Sequence, residues 1–104
     1  MRVQVNSDRG VQVSEQFADE ITATLEDALG LFRDEITRIE VHLGDANANK
    51  AGADDKRCLL EARLAGLNPI TVDHRASEVP QAIAGAVTKL QRALDSRLGK
   101  LRAR

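Results

Sequence analysis

The stretch "EITRIEVHLG", residues 35–44, decides the fold because apolar and polar side chains alternate along it. Ile39, Val41 and Leu43 share one side of an extended chain, and the residues between them are charged or polar. Successive side chains of a β-strand point to opposite faces, so the pattern predicts a strand with one buried and one exposed face. Such a strand needs a second layer over its apolar side.

Three further stretches show the same alternation: "MRVQVNS" at 1–7, "RCLLEARLAG" at 57–66 and "ITVDHRA" at 70–76. "GLNP", residues 66–69, predicts a turn between the last two, because Gly, Asn and Pro each favour turn geometry. We therefore expect four strands. Their outward side chains should form one exposed face that includes Arg2, Arg38, Glu40, Arg57, Glu61, Arg63, Asp73 and Arg75.

Two segments have the 3.6-residue periodicity of amphipathic helices. In the first, apolar residues recur every three or four positions from Val13 to Phe32, and Ser14 is expected to be its N-cap. The second is expected to be capped by Ser77, with Pro80 in its first turn, where a missing N–H is tolerated. Its apolar stripe consists of Val79, Ile83, Val87, Leu90, Leu94, Leu98 and Leu101.

The element order β-α-β-β-β-α predicts an α+β two-layer sandwich with a four-stranded mixed sheet and two helices on one face. The first two strands are joined through a helix and should be parallel, whereas the later strands should form an antiparallel meander. Gly85 in the second helix is expected to allow close approach to the sheet or to the first helix. We expect residues 1–104 to form a single domain.

Charge is divided unevenly along the chain, although the net charge is only −1. Residues 1–55 hold 5 Lys/Arg against 12 Asp/Glu, whereas residues 56–104 hold 10 against 4. Such asymmetry indicates an electrostatic interaction surface, with helices that merely differ in charge as the other interpretation. Phe17 and Phe32 are the only aromatic residues, so stacking of bases on aromatic rings is not the expected mode of RNA binding.

The sequence offers no enzyme, metal or cofactor signature. Its glycines match no phosphate-binding loop, its two histidines lie in no catalytic pattern, and zinc or calcium ligand spacings are missing. Cys58 follows the inward parity of its strand and is expected to be a small buried side chain. The single cysteine, the lack of a secretory signal and the lack of a long apolar span favour a cytoplasmic location.

The last helix has the most informative charges. Lys89, Arg92 and Lys100 fall in one sector, roughly opposite the leucine stripe, when they are projected at 100° per residue. From residue 89 to residue 104 there are six Lys/Arg, and only Asp95 opposes them. This one-sided, arginine-rich surface favours phosphate binding over a merely solvated face. Such contacts position a protein on RNA without reading its bases.

The element order, together with "AIAGAVTKLQRALDSRLGKL" at residues 82–101, resembles the bacterial ribosome hibernation-promoting factor family, also called the sigma-54 modulation protein family. That family includes the ribosome-associated translation inhibitors. Members have an Asp-Lys-Leu-x-Arg-like core in the last helix, where this chain has Thr88-Lys89-Leu90-Gln91-Arg92. "RIEVHLGD", residues 38–45, also looks like the second strand of the family. By its length the chain resembles the short form.

The resemblance implies a fold similar to double-stranded-RNA-binding domains and a function without catalysis. It implies an inhibitor that occludes the decoding region of the small ribosomal subunit, including the A and P sites and the mRNA channel, under starvation or in stationary phase. Lys89, Arg92 and, more loosely, Lys100 match basic positions of the family. They are expected to contact ribosomal RNA phosphates.

Charge and strand parity add Arg57, Arg63 and Arg75 to the expected RNA-binding residues, and Lys56 is added from its place beside Arg57 at the end of the 44–56 segment. The 44–56 segment is longer than a hairpin needs, and whether it contacts RNA or protein stays open. The expected partner is the small ribosomal subunit, with the protein acting as a monomer or weak homodimer and using no membrane, cofactor or small-molecule substrate. The alternative is a non-catalytic protein-interaction module that does not bind the ribosome.

Overall fold

A computed structural model describes residues 1–8, 10–45 and 56–99. The strands β1 (Arg2–Ser7), β2 (Ile36–Asp45), β3 (Lys56–Leu64) and β4 (Leu67–Ala76) form one sheet in that order. β1 is parallel to β2, and the other neighbours are antiparallel. The predicted α+β architecture is confirmed. In chain order the elements are β1 (Arg2–Ser7), α1 (Glu15–Ala28), a 3₁₀ helix (Gly30–Phe32), β2 (Ile36–Asp45), β3 (Lys56–Leu64), β4 (Leu67–Ala76) and α2 (Val79–Leu98).

A single aliphatic core lies between the sheet and the helices. Ile39, Val41 and Leu60 on the inward side of the central strands are fully buried, which confirms the alternation predicted from the sequence. Helix α2 packs on β3 and β4, and α1 lies beside β1. Full burial of a side chain of this size stabilises the fold by about 1.5–3 kcal/mol. None of the helices in the described ranges is long and apolar enough to cross a membrane.

The first helix is shorter than its apolar pattern predicts. Ser14 is the N-cap, because its hydroxyl accepts a hydrogen bond of 3.0 Å from the N–H of Phe17. The α-helix ends at Ala28, however, and the chain tightens into the 3₁₀ helix. The tighter turn still buries Phe32 and also buries Leu29, which lies outside the predicted stripe.

The start of α2 also differs from the prediction. The N-cap is Glu78, whose backbone is extended and whose side chain makes no capping hydrogen bond, so the assignment of Ser77 was wrong. Pro80 does lie in the first turn. Its missing N–H is harmless there because the first N–H groups of a helix have no intrahelical partner.

The turn between β3 and β4 lies earlier than residues 66–69. Leu64 pairs with Leu67, so the connection is the two-residue turn at 65–66 and the strand already includes Asn68 and Pro69. Gly66 has a φ of 73°, a left-handed conformation that costs glycine little.

The close approach expected at Gly85 is made to the sheet. A Cβ on this residue would lie 2.1 Å from Cδ2 of His74 on β4, so the histidine ring occupies the space that a side chain would fill. Helix α2 meets α1 through a different residue, because Nε2 of Gln91 donates a 3.0 Å hydrogen bond to the carbonyl of Ala28. These two contacts fix which flank of α2 faces β4.

Candidate nucleic-acid interface

The exposed face of the sheet is organised in rows that cross the strands, because the register places outward side chains next to one another. Two rows rich in arginine lie at opposite ends of this face, with an acidic row and a mixed row between them. Row one is Arg2, Arg38 and Arg63; row two is Gln4, Glu40, Glu61 and Thr71; row three is Asn6, His42, Leu59 and Asp73; row four is Gly44, Arg57 and Arg75.

The charges of row one are largely compensated by row two. The carboxylate of Glu40 forms ion pairs with two arginines, and Oε2 lies 2.7 Å from Nη2 of Arg38 and 3.6 Å from Nε of Arg63. Arg63 also lies 3.8 Å from Glu61, so its guanidinium is shared between two carboxylates. Exposed pairs of this kind stabilise a protein by about 0–1 kcal/mol each, but they lower the local positive potential. Arg63 therefore contributes less positive potential than its parity alone predicts.

Row four keeps more of its positive charge. Arg57 and Arg75 are directly opposite each other in the ladder between β3 and β4. Nε of Arg57 donates to the carboxylate of Asp73 at 2.9 Å, whereas the guanidinium of Arg75 makes no ion pair or hydrogen bond with any residue that the structure describes. Beside them, Nζ of Lys56 lies 3.1 Å from Asp45 and closes the end of the β2–β3 ladder.

Helix α2 adds three cations, two of which bond to β4. Lys89 donates a 2.8 Å hydrogen bond to the carbonyl of Asp73, and Arg97 donates one of 3.1 Å to the carbonyl of Asn68. Arg92, one turn after Lys89, is exposed and forms no ion pair within the described ranges. We call the set Arg75, Lys89, Arg92 and Arg97 the basic edge.

The helix beside the other edge strand of the sheet is acidic. Helix α1 lies beside β1 and contains no lysine or arginine. Its carboxylate side chains are all exposed, and no basic residue lies in its last turn. The division of charge along the sequence is therefore also a division in space. The acidic residues of α1 are Glu15, Asp19, Glu20, Glu26 and Asp27.

The structure thus brings together most of the residues predicted from the sequence. Asp73 binds Arg57 through its carboxylate and Lys89 through its carbonyl, so it links the sheet face to the basic edge.

Arg63 lies at the other end of the face, away from row four. Lys100, and residues 46–55 of the 44–56 segment, lie outside the described residues.

Sequence reasoning missed the role of Arg97. At 100° per residue, Arg97 projects into the apolar sector of α2, seven residues after Leu90. The available signal was its position, because a charged residue in the apolar sector near a helix end indicates contact with the end of the sheet. Arg97 makes this contact through its hydrogen bond to the carbonyl of Asn68.

The described residues assemble no candidate metal site. Within residues 1–8, 10–45 and 56–99, no three His, Cys, Asp or Glu side chains come close enough to hold a metal ion. Burial raises the pKa of the Cys58 thiol to about 12, so the reactive thiolate is scarce at neutral pH.

This fold carries two separate charged surfaces, the basic edge on β4 and α2 and the acidic face of α1. Residues 4–102 match the family described as Sigma 54 modulation protein / S30EA ribosomal protein, and the chain belongs to that family. Its members are ribosome-associated factors without catalytic activity. No curated protein matches the sequence significantly.

Two solved structures show the same fold. The N-terminal domain of Protein Y from Thermus thermophilus is 18% identical, with a TM-score of 0.72, over 92% of this chain and 98% of that one. A ribosomal subunit interface protein from Coxiella burnetii is 20% identical, with a TM-score of 0.75, over 96% of this chain and 100% of that one. At these identities the likeness shows the fold alone.

Proposed function

We propose that this protein is a translation inhibitor and hibernation factor that binds the small ribosomal subunit and occludes its decoding region. Family membership supports association with the ribosome. The observation that carries the finer proposal is the basic edge, where Arg75 and Arg92 are exposed without a carboxylate partner among the described residues. Unpaired guanidinium groups bind phosphate oxygens strongly because they can donate two parallel hydrogen bonds.

The proposed mechanism needs no chemical step. Phosphate contacts from the basic edge and from Arg57 release counterions from RNA, which supplies affinity without base recognition. The bound domain, residues 1–104, then fills space that mRNA and tRNA require. Inhibition is reversible because nothing covalent forms, and it takes place in the cytoplasm, where the ribosomes are.

Co-sedimentation with ribosomes through a sucrose cushion tests the proposal. The informative variant is Arg92→Glu, and its matched control is Arg33→Glu, the same charge reversal at an exposed position beyond the end of α1. We expect wild type and the control to pellet with the small subunit. The Arg92→Glu protein should bind at least tenfold more weakly, with a salt dependence reduced by about one unit of slope.

Two outcomes would contradict the proposal. Wild-type protein that stays in the supernatant at both low and moderate salt would exclude ribosome binding. Equal losses from Arg92→Glu and Arg33→Glu would mean that net charge, and not the basic edge, determines association. Adding mRNA and initiator tRNA first should block binding if the decoding region is the site.

A second candidate function follows from the acidic face of α1. A helix with five exposed carboxylates and no cation suits a basic protein surface better than RNA. In that case the protein is an interaction module, and its complexes should survive treatment with ribonuclease. The Glu26→Lys/Asp27→Lys variant should then lose its partner, whereas Arg92→Glu should retain it.

A further inference from the structure

A groove with a volume of about 520 Å³ opens at one end of the exposed sheet face. It lies over rows three and four, where β1 and β2 end and β3 begins. Pockets of about 300–1,000 Å³ accommodate small organic ligands. The lining includes two carboxylates, of which Asp8 accepts the N–H of Gly10 and Asp45 pairs with Lys56. The lining residues that the argument uses are Asn6, His42, Gly44, Arg57, Leu59 and Arg75.

One rim of the groove lies over the glycine of row four. Gly44 lies beside Arg57 in the register and contributes no side chain of its own. Asp8 forms that rim: a Cβ on Gly44 would approach its Oδ2 to 2.5 Å. The other oxygen of Asp8 accepts the N–H of Gly10 at 2.9 Å, so a local turn already engages this carboxylate.

One wall of the groove is built for an anion. Arg57 and Arg75 are directly opposite each other, which places their Cβ atoms about 4.5–5.5 Å apart. Two like charges in that arrangement repel, and the single bond from Arg57 Nε to Asp73 offsets only part of the repulsion. A phosphate held between the two guanidinium groups would remove it and would accept charge-assisted hydrogen bonds from both.

The floor of the groove suits a flat ring. Leu59 is an apolar residue on an otherwise polar face, and it lies between His42 and Asp73 in row three. His42 is exposed, and imidazole rings are among the side chains on which unpaired bases stack. Asn6, the next residue in the row, brings a side-chain amide to the far end of the floor. A phosphate site beside a ring-sized platform matches one nucleotide.

We propose that this groove binds a single nucleotide, with its phosphate between Arg57 and Arg75 and its base over Leu59 and His42. The inference deepens the proposed function, on which it rests for RNA as the natural source of the nucleotide. It adds a base-contacting site to a surface otherwise suited to phosphates. The same chemistry would accept a nucleotide within a single strand of RNA or a free nucleotide.

The test uses the full chain and three probes: a single-stranded pentauridylate, uridine 5′-monophosphate and inorganic phosphate. Amide chemical shifts in a ¹⁵N-labelled sample report where each probe binds. The variant is Arg75→Gln, and the control is Arg63→Gln, the same substitution on the same face but in row one, between Glu40 and Glu61. Thermal unfolding of both variants checks that they fold.

We expect pentauridylate and the mononucleotide to shift the amides of residues 42–44 and 57–59. Arg75→Gln should weaken binding about tenfold, as expected for loss of a charge-assisted contact, and Arg63→Gln less than twofold. Tight binding of pentauridylate with weak binding of the monophosphate identifies RNA as the source; the reverse identifies a free nucleotide. Inorganic phosphate should bind more weakly than either, because it cannot use the floor.

The inference is overturned if no probe shifts these amides, or if the two glutamine variants lose affinity equally. Its failure is separable from that of the proposed function. If the protein pellets with ribosomes but no probe binds the groove, only the nucleotide site is excluded. Groove binding by a protein that does not pellet with ribosomes removes the proposed function and leaves the nucleotide site standing.

Discussion

The ammonium group of Lys89 on α2 lies 2.8 Å from the carbonyl oxygen of Asp73 on β4 and donates a hydrogen bond to it. A lysine expected to face ribosomal RNA is therefore also attached to the sheet. The bond orders a side chain that would otherwise lose up to about 2 kcal/mol of rotamer entropy on binding. Because its rotamers are already restricted, Lys89 would lose less conformational entropy on binding a phosphate.

Replacing Lys89 with methionine should separate these two roles. The bond is exposed, so we expect the free energy of unfolding to fall by no more than about 1 kcal/mol, measured by urea denaturation. Ribosome affinity should fall about tenfold because a phosphate contact is lost. Lys89→Arg, which retains the charge, should retain most of the affinity. A loss of stability above about 2 kcal/mol for Lys89→Met would instead make this residue structural.

The contact between α2 and β4 predicts that Gly85→Ala is destabilising. Alanine favours a helix over glycine by about 1 kcal/mol, but its Cβ would overlap the ring of His74. Overpacking of this kind costs about 1–3 kcal/mol, so we expect a net loss in chemical denaturation.

A control for Gly85→Ala is available in the same chain. Gly30→Ala should be nearly neutral, because no atom lies within 4 Å of the Cβ position there. In a His74→Ala background, Gly85→Ala should become stabilising, since the ring is gone and the helix propensity remains. A destabilising effect in both backgrounds would show that the histidine is not the obstacle.

The two serines predicted as helix caps should respond differently to substitution. Ser14→Ala removes the acceptor for the N–H of Phe17 and should lower the free energy of unfolding by about 1 kcal/mol. Ser77→Ala should change it by less than about 0.5 kcal/mol, because Glu78 is the N-cap of α2. Thermal unfolding of the two variants, measured side by side, tests this difference. Equal losses of stability would indicate that Ser77 does act as a cap.

Because the thiol of Cys58 is buried, we expect the stability of the protein to decrease at alkaline pH. Burial raises the pKa of its thiol from 9.0 to about 12, so between these values the folded chain binds more protons than the unfolded chain. Stability from this group is complete below about pH 9 and falls as the pH rises towards 12, by at most about 1.4 kcal/mol per pH unit. Urea denaturation at pH 8 and pH 10 should show the decrease in wild type. In Cys58→Ala it should be smaller, and an unchanged decrease would assign it to other groups.

Much of the fold was predictable because period-two alternation depends only on local sequence. Ile39, Val41 and Leu43 are buried as the pattern requires, and the order of the strands follows from the helical crossover and the antiparallel meander after it. The end of α1 was not predictable in the same way. The spacing that leads to Phe32 fits both a continued α-helix and a 3₁₀ turn, and only packing chooses between them.

Apart from Arg97, the residues of the candidate site were predictable from the sequence, but their pairings were not. Parity placed Arg57, Arg63 and Arg75 on one face, and the structure agrees. Which of them is neutralised depends on register, and one residue of slip would bring different charges together. Glu40 pairs with Arg63 because the register of β2 and β3 brings them together. Arg75 forms no ion pair within the described part of the chain.

The two bonds from α2 to β4 have a further consequence. β4 is the last strand of the sheet, and its outer edge would present unpaired carbonyl groups to any extended peptide. Lys89 and Arg97 occupy two of those carbonyls, at Asp73 and Asn68, with charged groups that an incoming strand would have to displace and desolvate. The same cations therefore protect this edge from edge-to-edge aggregation when the protein is concentrated.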